Sequence, residues 1–360
     1  MNGDEPVLAR LFRRAGYSTG AFTGGAWISK SFRFQKGFDH FNADGGKISA
    51  GIRWVEDHRD ESWFLFFHTF SAHVPYTDTR FTADHEGGRF MSLLDPESRE
   101  ELPEYKAAWR GLKCGEMDAT RAEREYVEAL YDGGVGRADD LVATWLEAID
   151  RLGLRERTAV IVLSDHGEEF WEHTGRGSSH GNTLYDEILR VPLIWVEPGT
   201  IAAGGTVTEP VSLIDVVPTI AARFGLVPPA ISDGVDLSPL LDGGNWNVVR
   251  PIFAESIRDG ATRVSVRTKR GKLIALTGPP KPRSGQTLCD PPVLPEVELF
   301  LLNDRSESDD RSGRAAGLER ELHELIANHL RQAKTAAKDA PKTVLDTETE
   351  EALRRLGYIQ

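Results

Sequence analysis

The stretch Thr158-Ala-Val-Ile-Val-Leu-Ser-Asp-His-Gly-Glu168 decides how this chain is read. Its first six residues are apolar or β-branched and too few for a helix, and Gly153 stops the helical pattern before them, so they read as a buried strand. The strand delivers Ser164-Asp165-His166-Gly167-Glu168 to its carboxyl end, which in an open α/β sheet is where ligands bind. An aspartate oxygen and an imidazole nitrogen side by side can serve one divalent cation there, while Gly167 lets the backbone turn away sharply. The same residues also suit an ordinary turn, with Asp165 capping a helix and His166 resting on a carbonyl. Two adjacent polar residues leave the metal and turn readings balanced.

Working outward, residues 6–15 read as a helix with Leu8, Leu11 and Phe12 on one face and Gly16 as its stop, followed by a strand over 17–22. A short helix over 47–58 precedes Trp63-Phe-Leu-Phe-Phe-His68, an aromatic run of strand length. Residues 77–117 mix Gly, Pro, Glu and Arg without period and read as a surface excursion of loops and short helices. Thr120 and Glu123 have capping-box spacing and open a long helix through Tyr126, Leu130, Trp145 and Ile149. Gly133, Gly134 and Gly136 in its middle imply a break or a close backbone approach, since each costs about 1 kcal/mol in a helix interior. A strand over 191–196 and a helix over 212–224 complete an α/β unit spanning 1–250, a mostly parallel sheet sandwiched by helices. From Ile252 the texture changes. Residues 262–267 and 272–276 alternate as a short antiparallel sheet, 285–295 is a Pro-rich loop, and helices over 318–332 and 347–356 close a smaller C-terminal α+β part spanning 251–360.

Composition narrows the function. Forty-three Lys and Arg against 56 Asp and Glu give a net charge of -13, so nucleic acid and anionic lipid are not expected partners, and any anionic ligand needs a local site. Cys114 and Cys289 are too few and too far apart for a disulfide framework or a zinc cluster. The apolar runs are of strand length, so no membrane span is expected, and Met1-Asn-Gly-Asp-Glu-Pro6 carries no secretory signal. Two more histidines sit at strand-end loops: His73 after the aromatic strand, and His180 ahead of the 191–196 strand. Either alone is most simply structural, but three in such places are less easily dismissed. His173 is a fourth candidate that reads as solvent-facing, and Glu168, Glu169 and Glu172 read as a solvated face.

In chain order, Ala15-Gly-Tyr-Ser-Thr-Gly-Ala-Phe22, Gly37-Phe-Asp-His-Phe41, Phe66-Phe-His-Thr-Phe-Ser-Ala-His-Val-Pro-Tyr76 and Ser164-Asp-His-Gly-Glu168 form one series of motifs. The series continues through His180-Gly-Asn-Thr-Leu-Tyr-Asp-Glu187, Arg190-Val-Pro-Leu-Ile194, Ser212-Leu-Ile-Asp-Val-Val-Pro-Thr219, Gly234-Val-Asp-Leu-Ser-Pro-Leu-Leu241, Glu298-Leu-Phe-Leu-Leu-Asn-Asp304 and Glu351-Ala-Leu-Arg-Arg-Leu-Gly-Tyr-Ile359. It resembles the sulfatase family of the alkaline phosphatase superfamily. The resemblance implies an alkaline phosphatase-like fold and a sulfuric ester hydrolase acting on a sulfated small molecule or glycan. It implies that Asp165 and His166 are ligands of a divalent metal, commonly calcium, with magnesium, manganese and zinc as alternatives. It further implies that His73 contacts the sulfate or its leaving oxygen, and that His180 stands about where relatives carry a lysine or histidine touching the ester. Such chemistry needs a cation to polarise the ester, a nucleophile on sulfur and an acid for the departing oxygen, a task suited to an imidazole. Relatives are often periplasmic, secreted or membrane-anchored, and nothing in this chain selects among these.

The departures carry as much information. Relatives open with a strand ending in an acidic metal-ligand pair and then a Cys/Ser-x-Pro-x-Arg segment whose first residue becomes the formylglycine nucleophile. Neither occurs here, and Cys289-Asp-Pro-Pro keeps Cys-x-Pro without the arginine and in the wrong part of the chain. The expectation is a sulfatase lacking its N-terminal block, with metal binding weakened by the missing ligands and that block encoded upstream or on a separate polypeptide. The alternatives are an inactive remnant that binds anions or glycans, and a phosphodiester or phosphonate ester hydrolase of the same superfamily.

Overall fold

A computed structural model describes residues 7–94, 103–114, 116–173, 178–181, 183–227, 233–256, 261–280, 294–336 and 345–355. Cys289 and most of the Pro-rich stretch lie outside the described residues. The first elements are α1 (Leu8–Arg14), β1 (Ser18–Phe22), β2 (His40–Asn42), α2 (Ile48–Asp57) and β3 (Trp63–Phe67). They build a three-stranded parallel sheet in the order β2-β1-β3, with Ser18 to Phe22 matched residue for residue to Trp63 to Phe67.

The chain then runs through α3 (Phe90–Leu93), α4 (Pro103–Cys114) and α5 (Arg121–Arg151) into β4 (Val160–Leu163). Beyond it come β5 (Glu169–Phe170), β6 (Ser178–Ser179), α6 (Asp186–Leu189) and β7 (Leu193–Val196). Here one detail differs from the sequence expectation: β4 and β7 pair antiparallel, Val160 opposite Val196 and Leu163 opposite Leu193. The two strands are joined through β5, β6 and the single-turn α6, with no crossover helix of the kind that usually returns a chain to a parallel neighbour. Helices still cover both faces. Phe64, Ile161, Leu193 and Trp195 pack with Leu11 and Phe12 of α1 and with Val216 and Ile220 of α7 (Val216–Arg223), while Trp63, Leu65, Phe67 and Val160 pack with Trp54 and Val55 of α2 and Ile149 of α5. Strands β3 and β4 thus share both covering layers although no ladder joins them.

Helix α5 opens on the reciprocal Thr120–Glu123 box and is continuous over 31 residues, so its glycines mark no break. They are points of close approach. A Cβ at Gly134 would lie 2.5 Å from the Ser71 carbonyl oxygen, and one at Gly133 would collide with that of Asp78. The loop after β3 lies directly on this helix, and Tyr76 is fully buried among Trp109, Tyr131 and Phe170.

After α8 (Ser238–Leu241), an antiparallel sheet of four strands follows: β8 (Ile252–Ser256), β9 (Ala261–Arg267), β10 (Lys272–Pro280) and β11 (Val297–Phe300), in the order β11-β10-β9-β8. Helix α9 (Ala316–Ala336) covers one face through Leu318, Leu322 and Ile326, and α10 (Thr347–Arg355) places Leu353 against Ala26. The sheet also grips the segment around α6. Ile274 and Phe300 pack on Leu184 and Tyr185, and the buried Lys272 ammonium lies 2.9 Å from Asp186 and 2.8 Å from Glu307.

Candidate active site

Three loops bring their histidines together. His73 follows β3, on the loop pinned by Tyr76 and by the glycines of α5, and its Nδ1 donates to the Val74 carbonyl. His166 follows β4, where Gly167 donates to the Ile188 carbonyl at 2.8 Å and leaves no room for a Cβ beside the Glu187 carbonyl oxygen. That close crossing requires glycine, and it fixes the turn that carries His166, whose Nδ1 lies 2.8 Å from the Gly167 carbonyl. His180 precedes α6 and is buried with its Nδ1 3.0 and 3.2 Å from the two oxygens of Glu168.

The ring centroids of His166 and His180 are 4.3 Å apart, those of His73 and His180 4.9 Å, and those of His73 and His166 6.3 Å. One nitrogen from each ring lies within 4.8 Å of one from each of the others. Asp165 stands beside them with its side chain 78% exposed and its Oδ1 4.0 Å from His166 Nε2. His68 joins this neighbourhood: Gly24 N–H donates to its Nδ1 at 3.3 Å, burial lowers its pKa, and the Asp165 charge acts in the opposite sense. Sequence reasoning passed over His68, although it ends the apolar run of β3 just as Asp165 and His166 follow that of β4.

Two readings of the 168–173 segment are corrected. Glu168 and Glu169 are buried rather than solvated, Glu168 against His180 and Glu169 accepting from Thr183 Oγ1 at 2.7 Å; Glu172 is exposed. A carboxylate withdrawn from water needs such partners, and these lie 12 and 14 residues away. His173 does not face solvent, its side chain being 10% exposed; it stacks on Tyr185 at 3.7 Å and lies 3.2 Å from Glu187. Burial pushes its pKa down, but the hydrogen bond and charge of Glu187 more than offset that and leave it raised. It belongs to the wall behind the site.

A family model described as Sulfatase matches residues 47–226, half of the chain. The chain belongs to the sulfatase family. Steryl-sulfatase of Rattus norvegicus is 38% identical to it over 129 residues, 32% of this chain and 22% of that one. Arylsulfatase K of Xenopus laevis is 31% identical over 225 residues, 58% of this chain and 41% of the relative. This sulfatase thus spans about a fifth to two fifths of the length of those curated relatives. Among solved structures, BT4656 in complex with its substrate D-glucosamine-2-N,6-O-disulfate superposes with a TM-score of 0.66 at 18% identity, covering 95% of this chain and 85% of that one. The phosphonate monoester hydrolase of Agrobacterium radiobacter gives 0.65 at 20% identity, with 92% and 81% covered. The fold is that of the sulfatases and their alkaline phosphatase-like kin. No helix among the described residues is long and apolar enough to cross a membrane.

Sulfatases bind a divalent metal, and the histidine cluster could hold one. Calcium takes six to eight oxygens. The described residues of the cluster offer three imidazoles and one neighbouring carboxylate, so this donor set does not fit calcium.

Proposed function

We propose that this chain is the sulfuric ester-binding part of a sulfatase, gripping the sulfate group in the space bounded by His73, His166 and His180. The observation that carries the reading is the convergence of these side chains from three separate loops, after β3, after β4 and after β6. Asp165 and His166 bring an oxygen and a nitrogen for a divalent cation, whose chemistry when bound is to polarise the nonbridging oxygens of the ester. His73 and His180 stand against the space where the ester oxygens would lie. The names of the relatives and the disulfated glucosamine of one structural neighbour support a sulfated small molecule or glycan as the ligand. Equilibrium dialysis of an aryl sulfate with the full chain and added divalent metal tests this reading. Saturable binding that falls at least about tenfold, roughly 1.4 kcal/mol, in His73→Ala supports it. Binding indifferent to both His73→Ala and Asp165→Ala contradicts it, and preference for an aryl phosphonate over the aryl sulfate would move the site to the phosphonate ester branch of the superfamily.

A further inference from the structure

Strands β3 and β4 lie under the same helices on both faces, yet among the described residues no ladder joins them and their backbones do not keep within 8 Å of one another as paired strands do. They remain close enough for Val160 to share one apolar cluster with Trp63, Leu65 and Phe67, which fits strands with one position between them, about 10 Å apart at roughly 4.8 Å per strand. Exposure locates the opening. β1, with a strand on each side, is buried from Thr19 to Phe22, whereas β3, apolar throughout and paired on one side only, is half-buried from Trp63 to Phe67. β4 is likewise paired on one side, half-buried from Val160 to Val162 and exposed at Leu163. Since helices close both faces, water reaches these residues through the two facing edges.

We infer that β3 and β4 border a seat one strand wide, filled by an extended apolar segment of polypeptide from outside these 360 residues. Both faces of the seat are lined by apolar side chains, so the segment carries consecutive apolar residues, not the polar alternation of a half-exposed strand, and it has no proline. Four or five residues match the lengths of β4 and β3. The 360 residues hold no such segment to spare: each described strand already stands in a ladder, and the stretches outside the described residues have no run of more than two apolar residues. A second copy of the chain does not fit either, because a seat covered on both faces admits a lone extended segment and not the edge of a folded sheet. The loops carrying His73 and His166 leave β3 and β4 at the same end, so the seat opens on the proposed site, but the inference rests on the fold alone.

The test tethers the peptide Val-Ile-Val-Leu-Val to the amino terminus of the full chain through a flexible Gly/Ser linker, which raises its effective concentration to the millimolar range. Amide hydrogen exchange is expected to slow at least about tenfold in β3 and β4 relative to the untethered chain, with no change at the outer edges of β2 and β7. Proline at the central position of the tethered peptide should abolish the protection. Protection that survives the proline, that falls on β2 or β7 in place of β3 and β4, or that never develops would overturn the inference. So would β3 and β4 amides already protected in a dimer of the untethered chain, which would give the seat to a second copy. Should the tethered chain precipitate, the free peptide flanked by lysines carries the test through the same exchange measurement at about 1 mM: protection of β3 and β4 is expected, and its absence overturns the inference. Aryl sulfate binding plays no part in these measurements, so this inference and the ester reading fail separately.

Discussion

Glu169→Gln makes the chain more stable at neutral and alkaline pH and leaves it unchanged in mild acid. Glu169 is 2% exposed, its Oε2 accepts the Thr183 hydroxyl, and its Oε1 has no hydrogen-bond partner among the described residues. Burial, only partly opposed by the Thr183 hydrogen bond, pushes its pKa up from 4.5 to about 7. The folded protein therefore holds this proton more tightly than the unfolded chain does. Its contribution to stability is fully present below pH 4.5 and is lost as pH rises to about 7. A difference of about 2.5 pH units at 1.36 kcal/mol each amounts to roughly 3 kcal/mol. Glutamine keeps an oxygen for Thr183 and cannot ionise, so the variant escapes that loss. Urea denaturation at pH 4.5 and pH 8 reads the effect: equal stabilities at the first, and a gain on the order of 3 kcal/mol for the variant at the second. A variant less stable than the parent at pH 8, or a difference that does not change with pH, would refute the reasoning.

Further expectations follow from the same geometry. Lys272→Met leaves Asp186 and Glu307 facing one another with Arg267 as their remaining cationic partner among the described residues, and a loss of about 3–5 kcal/mol in chemical denaturation is expected; a loss under about 1 would contradict the buried-pair account. Gly134→Ala drives a methyl into the Ser71 carbonyl and should reduce aryl sulfate binding by displacing the His73 loop, with helicity by circular dichroism retained. In contrast, Gly317→Ala enters open space near the start of α9 and should stabilise by up to about 1 kcal/mol, so equal effects at the two glycines would argue against the close-approach reading. No Cys/Ser-x-Pro-x-Arg segment occurs in the 360 residues, and the purified chain should show no aryl sulfate turnover in a chromogenic assay. Turnover abolished by both a chelator and His73→Ala would show that another nucleophile serves.

What was legible in the sequence was what local chemistry determines. The β-branched run ending in Ser164 to Glu168 declared β4 and its functional end, and Thr120 with Glu123 declared the start of α5, because strand content and capping are written within a few residues. The pairing of β4 with β7 was not, since register and direction depend on the path between them and on a helix of only four residues. Glu168, Glu169 and His173 were misread for a related reason. Their types favour the surface, and only partners brought in from Thr183, Glu187 and His180 by the fold make burial tolerable. The glycines of α5 lay between these cases: their presence announced an anomaly, and only the path of the 71–78 loop decided its kind.

The most direct test of the central claim is a crystal structure of the chain grown with a divalent metal and soaked with an aryl sulfate. The account predicts the sulfate group in the space bounded by His73, His166 and His180, with the ion on the side of Asp165 and His166. Ion and sulfate bound elsewhere, with the three imidazoles turned apart, would contradict it.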